Sequence, residues 1–176
     1  MTPLRPRYAR IDKIIDELLT DHAVKDAPVP IDKMIKAKGV TIRKIDLKDI
    51  SGMIVRDGDS VLIGVNSTQA ENRQRFTLAH EFGHFLLHEG QPVHYDKSFR
   101  MDLRSSLSST GTDTEEVEAN YFGSSILMPR KFLERDVADR FIDIEDADAV
   151  ADLAKRYKVS LQAMNIRLLN VFGQAS

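Results

Sequence analysis

The chain has 176 residues, 42% of them hydrophobic, which suffices for one well-packed domain and is short for two. Its 25 basic and 27 acidic residues nearly cancel, and a net charge of -2 exerts no general pull toward nucleic acid or an anionic membrane. There is no cysteine, which excludes disulfides and thiolate metal sites, and no apolar run is long enough to span a bilayer.

The first stretch, MTPLRPRYARIDKII, carries positive charge but lacks the apolar core of a signal peptide, so the expected compartment is the cytoplasm. Arg5 to Leu19 has helical spacing, with Ile11, Ile14, Ile15, Leu18 and Leu19 on one side. A short helix is expected between Pro30, suited to a first turn, and Gly39, suited to a C-terminal cap. VTIRKIDL alternates like a half-buried strand. GMIVRDGDSVLIGVN reads as a hairpin turning at Asp57-Gly58. Asn66 or Ser67 is suited to cap the next helix, which runs to about Leu87. Pro92 to about Thr114 is polar and rich in Ser and Thr, a loop of more than ordinary length. Thr112 and Glu115 have capping-box spacing for a helix that stops before Pro129. A helix in RKFLERDVADRF and two more in the tail complete the chain. The expected architecture is α+β: one mostly helical domain with a small antiparallel sheet.

The run FTLAHEFGHFLLHEG, Phe76 to Gly90, sets His80, Glu81 and His84 into a stretch that is otherwise almost wholly apolar up to Leu87. Burying His80, Glu81 and His84 there is costly unless each finds a partner. His80 and His84 are four apart, on one helical face and about 5–6 Å from each other at Cβ. Two imidazoles so spaced can both reach one ion at the roughly 2.0–2.1 Å that zinc requires. With Glu81 between them this is the H-E-x-x-H pattern, two ligands plus a general base. The blander reading is a pair of histidines satisfied in a polar core.

A third ligand is needed. His88 lies eight residues from His80, about 12 Å along the axis, so one ion cannot bind both. The extended H-E-x-x-H-x-x-G-x-x-H pattern fails at Leu87 and Gly90. His88 is therefore expected as a helix C-terminal residue, favoured by the dipole. Acidic candidates are Glu115, Glu116 and Glu118. Glu116 shares a face with Asn120, and such a pair can hold a metal and orient a ligand histidine together. Otherwise these glutamates are a solvated first turn, which is expected of at least two of them.

RQRFTLAHEFGHFLLH followed by EEVEANYFGSSILMP resembles the ImmA/IrrE family of metallopeptidases. Members carry R-F-T-L-A-H-E-x-G-H ahead of E-x-x-A-N-x-F-A-x-x-L-L-M-P. Glu116, Ala119, Asn120, Phe122, Leu127, Met128 and Pro129 stand at matching places, whereas Gly123 and Ile126 replace the usual Ala and Leu. The looser resemblance runs from roughly Val40 to the C-terminus. It implies a zincin-like metal-bearing helix, with His80, His84 and Glu116 as ligands and Glu81 as the catalytic base. With no internal repeat and no clear linker, one metallopeptidase domain is expected over residues 1–176: an N-terminal helical part (about 5–39), the sheet and catalytic helices (about 40–129) and C-terminal helices (about 130–173). Zinc suits the donor set, and manganese or iron also accepts it. Asn120 is expected to accept a hydrogen bond from His80 or His84. His94, Tyr95 and Tyr121 are the candidates for stabilising an oxyanion. The implied activity is site-specific intracellular endopeptidase action on a protein substrate, a partner transcriptional repressor whose cleavage releases its genes. The loop Pro92 to Thr114 is a candidate for gating or reading that substrate.

The tail offers a second class of function. VADLAKRYKVSLQAMNIRLLNV has the cadence of a helix-turn-helix, locally basic through Lys155, Arg156, Lys158 and Arg167. A non-catalytic module binding DNA or a protein partner through this tail is the alternative. Against it, only Arg167 in the would-be recognition helix is a strong phosphate or guanine partner, so direct nucleic-acid binding is the weaker expectation.

Overall fold

The computed structural model describes residues 5–89, 92–96, 111–139 and 142–173. Helix α1 (Tyr8–Asp21) buries Ile11, Ile15, Leu18 and Leu19, the stripe its spacing dictates. Helix α2 (Ile31–Ala37) follows Pro30 as N-cap and ends near Gly39, whose φ of 77° few other residues adopt without strain.

Four strands form one small sheet: β1 (Thr41–Ile45), β2 (Gly52–Asp57), β3 (Ser60–Asn66) and β4 (Val93–Asp96), in the order β1-β3-β2-β4. The β2–β3 hairpin turns where expected, with Asp57 opposite Ser60 and Gly58 at φ 55°. The sheet is mixed rather than wholly antiparallel, because β1 runs parallel to β3. As an edge strand, β1 is also mostly exposed; only Ile42 packs partly on the core. Strand β4 lies within the stretch expected to be loop. It is too short to signal itself locally and exists by pairing with β2, with Met53 opposite Tyr95 and Ile54 opposite His94. Residues 97–110 of that expected loop lie outside the described residues.

Helix α3 (Glu71–Leu87) packs on β2 and β3 and buries Phe76, Leu78, Ala79 and Phe82 together with the polar run. Its N-cap is Ala70, which has no side-chain bond to give, so neither Asn66 nor Ser67 caps it. Asn66 instead braces the β1–β2 connection, donating from Nδ2 to the carbonyls of Lys48 and Ile50 at 2.9 Å each. Helix α4 (Gly111–Leu127) starts one residue ahead of Thr112, whose capping role lies outside the described side chains.

Small residues let α3 and α4 approach closely. A Cβ added at Gly83 would sit 3.1 Å from the Phe122 ring and 3.2 Å from the Ala119 backbone. One added at Gly123 would sit 3.3 Å from the His80 nitrogen, a place where glycine leaves room. Since the obstacle at Gly83 includes backbone, Gly83→Val should destabilise the fold by about 1–3 kcal/mol through overpacking, measured by urea denaturation.

Helices α5 (Arg130–Asp139), α6 (Ala147–Tyr157) and α7 (Leu161–Phe172) finish the chain. Asp136, 3% exposed, accepts from the Tyr157 hydroxyl at 2.9 Å and from Arg156 Nε at 3.0 Å, which ties α5 to α6. Lys158 turns the chain at φ 54°, and the Ser160 side chain caps α7 at Ala163 N. Arg167, the one residue a groove-reading tail would need, is buried and donates from Nε to the Met128 carbonyl at 3.1 Å. The cadence of the tail therefore reflects helices packed on the domain. Among the described residues no helix is long and apolar enough to cross a membrane.

Candidate metal centre

The third and fourth helices meet at a cluster of ligand-type atoms. Helical periodicity turns His80 and His84 the same way, and their Nε2 atoms lie 3.1 Å apart. Helix α4 brings Glu116 across, with Oε2 3.4 Å from His80 Nε2 and Oε1 3.2 Å from His84 Nε2. These three side chains form one group in which every ligand atom is within 4.8 Å of the others, able to hold a metal ion. Vertices of a tetrahedron with bonds of ~2.0–2.1 Å lie about 3.3–3.4 Å apart, so the spacing and the donor chemistry both fit a small divalent cation.

The histidines are buried and Glu116 is 39% exposed on its side chain, which leaves a solvent-facing approach to the cluster. Burial lowers the His84 pKa to about 3 despite the nearby Glu116, so its ring is neutral, the form that ligates. Burial works to raise the Glu116 pKa. Contacts with His80, His84 and His94 outweigh it and hold the carboxylate well below its usual range.

Asn120, one turn beyond Glu116, sits with Oδ1 2.8 Å from His80 Nδ1. An amide oxygen only accepts, so His80 donates from Nδ1 and turns its Nε2 lone pair to the cluster. Glu81 is fully buried beside His80. It lies over β2 at Gly52, where an added Cβ would be 3.1 Å from Glu81 Oε1 and would collide with the Thr77 side chain.

Of the three residues considered for oxyanion contact, the fold brings one to the cluster. His94 reaches it from β4, with Nε2 3.3 Å from Glu116 Oε1, and is not part of the three-residue group. Its pKa is raised by the hydrogen bond to Glu116, against burial and with help from the charge of Glu81. Tyr121 turns away to donate to Asp12 Oδ1 at 2.8 Å, and Tyr95 is 51% exposed.

One expectation about the surroundings is corrected and another is extended. Glu118 is not a solvated first-turn residue but completely buried, paired with Arg7 Nη2 at 2.6 Å. His88 is a helix C-terminal residue as the spacing predicts, yet it is buried and hydrogen-bonded, with Nδ1 3.1 Å from His84 Nδ1 and Nε2 3.0 Å from Glu118 Oε2. The four-residue step from His84 to His88 was the available signal, since it puts the two rings on one face.

Known proteins resemble the chain in two ways. A Mycobacterium tuberculosis transcriptional regulator shares its fold, with a TM-score of 0.61 at 16% identity. The match covers 91% of this chain and 46% of that one, so the chain spans less than half the length of this relative. Among curated proteins none matches. The model of a peptidase family, described as the IrrE N-terminal-like domain, matches residues 35–169, a span holding both site helices and all four strands, and the chain therefore belongs to that family.

Proposed function

We propose that this chain is a zinc-dependent, site-specific endopeptidase acting on a partner protein, with residues 1–176 working as one metallopeptidase domain. The observation that carries the reading is the convergence of His80 Nε2, His84 Nε2 and the Glu116 carboxylate at 3.1–3.4 Å beside the buried Glu81. His80, His84 and Glu116 would hold the ion, three ligands as in catalytic sites rather than the four of structural ones. When bound, a divalent ion supplies polarisation of a peptide carbonyl and acidification of water. Glu81 takes the proton of the attacking water and returns it to the leaving amine. His94, which reaches the cluster from β4, is the residue placed to contact the oxygen that gains charge. Asn120 holds the His80 ring in its ligating tautomer.

The substrate reading, a transcriptional repressor met in the cytoplasm, draws its repressor part from the family resemblance and from the regulator whose fold is shared. It is tested by incubating the purified protein with candidate repressors, with and without a chelator. Cleavage at one bond that the chelator stops is the expected result. Tight binding without cleavage under zinc, manganese and iron would favour a partner-binding module instead.

Asn120→Leu should weaken zinc affinity by about 10–100-fold while the fold survives, and Asn120→Asp, which keeps the acceptor, should cost much less. Competition titration against a zinc indicator measures both. Equal affinity in the Leu variant and the wild type would remove Asn120 from the site.

A further inference from the structure

We propose that His88, backed by Glu118 and Arg7, is a positioning residue that fixes the His84 ring in the tautomer whose Nε2 is open to a metal ion. The inference rests on the metal-site reading above. Arg7 grips Glu118 through its backbone N–H at 2.6 Å, Nε at 2.9 Å and Nη2 at 2.6 Å, and the same Nη2 donates to the Leu87 carbonyl that ends α3. Glu118 is completely buried, and an ionised carboxylate so held only accepts hydrogen bonds.

Its Oε2 is 3.0 Å from His88 Nε2, so that nitrogen carries the proton. A neutral His88 then has a lone pair at Nδ1. That atom faces His84 Nδ1 at 3.1 Å, a contact that needs one proton and only one. The proton therefore belongs to His84 Nδ1, and His84 Nε2 faces His80 Nε2 and Glu116, where a metal ion would take the place of a shared proton.

His80 obtains the same result from Asn120 alone. The two ligand histidines are thus oriented by different devices, a single amide on one side and a histidine–carboxylate–guanidinium series on the other. Arg7 stands outside the span matched by the family, residues 35–169. The segment leading into α1 is in this way wired to the metal cluster, 111 residues away in sequence from its partner Glu118.

Two measurements on the full chain test the relay. In metal-free, 15N-labelled wild type, long-range ring correlations should report a proton on His84 Nδ1 and a His88 ring with its proton on Nε2, and a His84 ring protonated at Nε2 alone would overturn the proposal. In zinc competition titrations, His88→Phe should lose about 10–100-fold in affinity. His88→Asn, whose Oδ1 can replace the Nδ1 acceptor, should stay within a few-fold of wild type. Affinity in a folded Phe variant equal to wild type would also overturn the relay. If the Phe variant does not fold, the wild-type spectrum and the Asn variant decide. If the wild type takes up no zinc, the metal-site reading fails by itself, and the His84 tautomer still judges the relay.

Discussion

Glu81→Gln should bind zinc as tightly as the wild type and cleave its partner about 10²–10⁴-fold more slowly. The change keeps size and shape at a position that is fully buried against β2, so the packing of α3 is preserved. What it removes is the ability to take a proton. An amide oxygen is not a base near neutral pH, so the water loses its acceptor and the leaving amine its donor. Because Glu81 is not among the three converging ligand side chains, the metal should be indifferent to the substitution. The comparison needs a zinc titration and single-turnover cleavage on the same samples. A variant that cuts as fast as wild type would remove Glu81 from the mechanism, and one that loses zinc would make it a ligand.

The helices and the cluster of candidate ligand side chains were legible because each is periodic. Ile11, Ile15, Leu18 and Leu19 declare one face of α1, and His80 and His84 declare one face of α3. Glu116 and Asn120 were reachable for the same reason, as a pair one turn apart on a second helix. What escaped is decided by contacts distant in sequence. Strand β4 has four residues and no pattern of its own; its partner is β2, some forty residues earlier. The parallel placement of β1 depends on where the hairpin docks, which no local signal reports. Glu118 looked like any acidic first-turn residue because Arg7, which makes its burial tolerable, lies at the other end of the chain. Arg167 misled in the opposite direction. Basic residues in a tail suggest a nucleic-acid face, but the carbonyl of Met128 at the end of α4 takes its guanidinium into the fold.

Glu116 and Glu118 are two residues apart on α4, and alanine in their places should produce opposite defects. Glu116→Ala removes one of the three proposed ligands, so zinc affinity should fall by more than about 100-fold, beyond the range of an outer partner. Its side chain is 39% exposed, and stability of the metal-free protein should change by less than about 1 kcal/mol. Glu118→Ala removes a carboxylate with no exposure and strands His88 Nε2 and the Arg7 guanidinium. Arg7 is 27% exposed and can turn partly to water, so the folding cost should be about 2–3 kcal/mol, below that of a wholly buried pair. Burial acts to raise the Glu118 pKa, yet the bonds from Arg7 and His88 hold it down at about 2. A carboxylate so lowered stabilises the fold fully above its ordinary pKa, near 4.5, and ceases to do so as pH falls through about 2. Urea midpoints of wild type and Glu118→Ala should accordingly converge over that acid interval and differ by a constant amount above it. Zinc affinity of the folded Glu118 variant should drop no further than an outer partner allows, about 10–100-fold. If Glu116→Ala retains wild-type zinc affinity while Glu118→Ala abolishes binding, the third ligand has been assigned to the wrong glutamate.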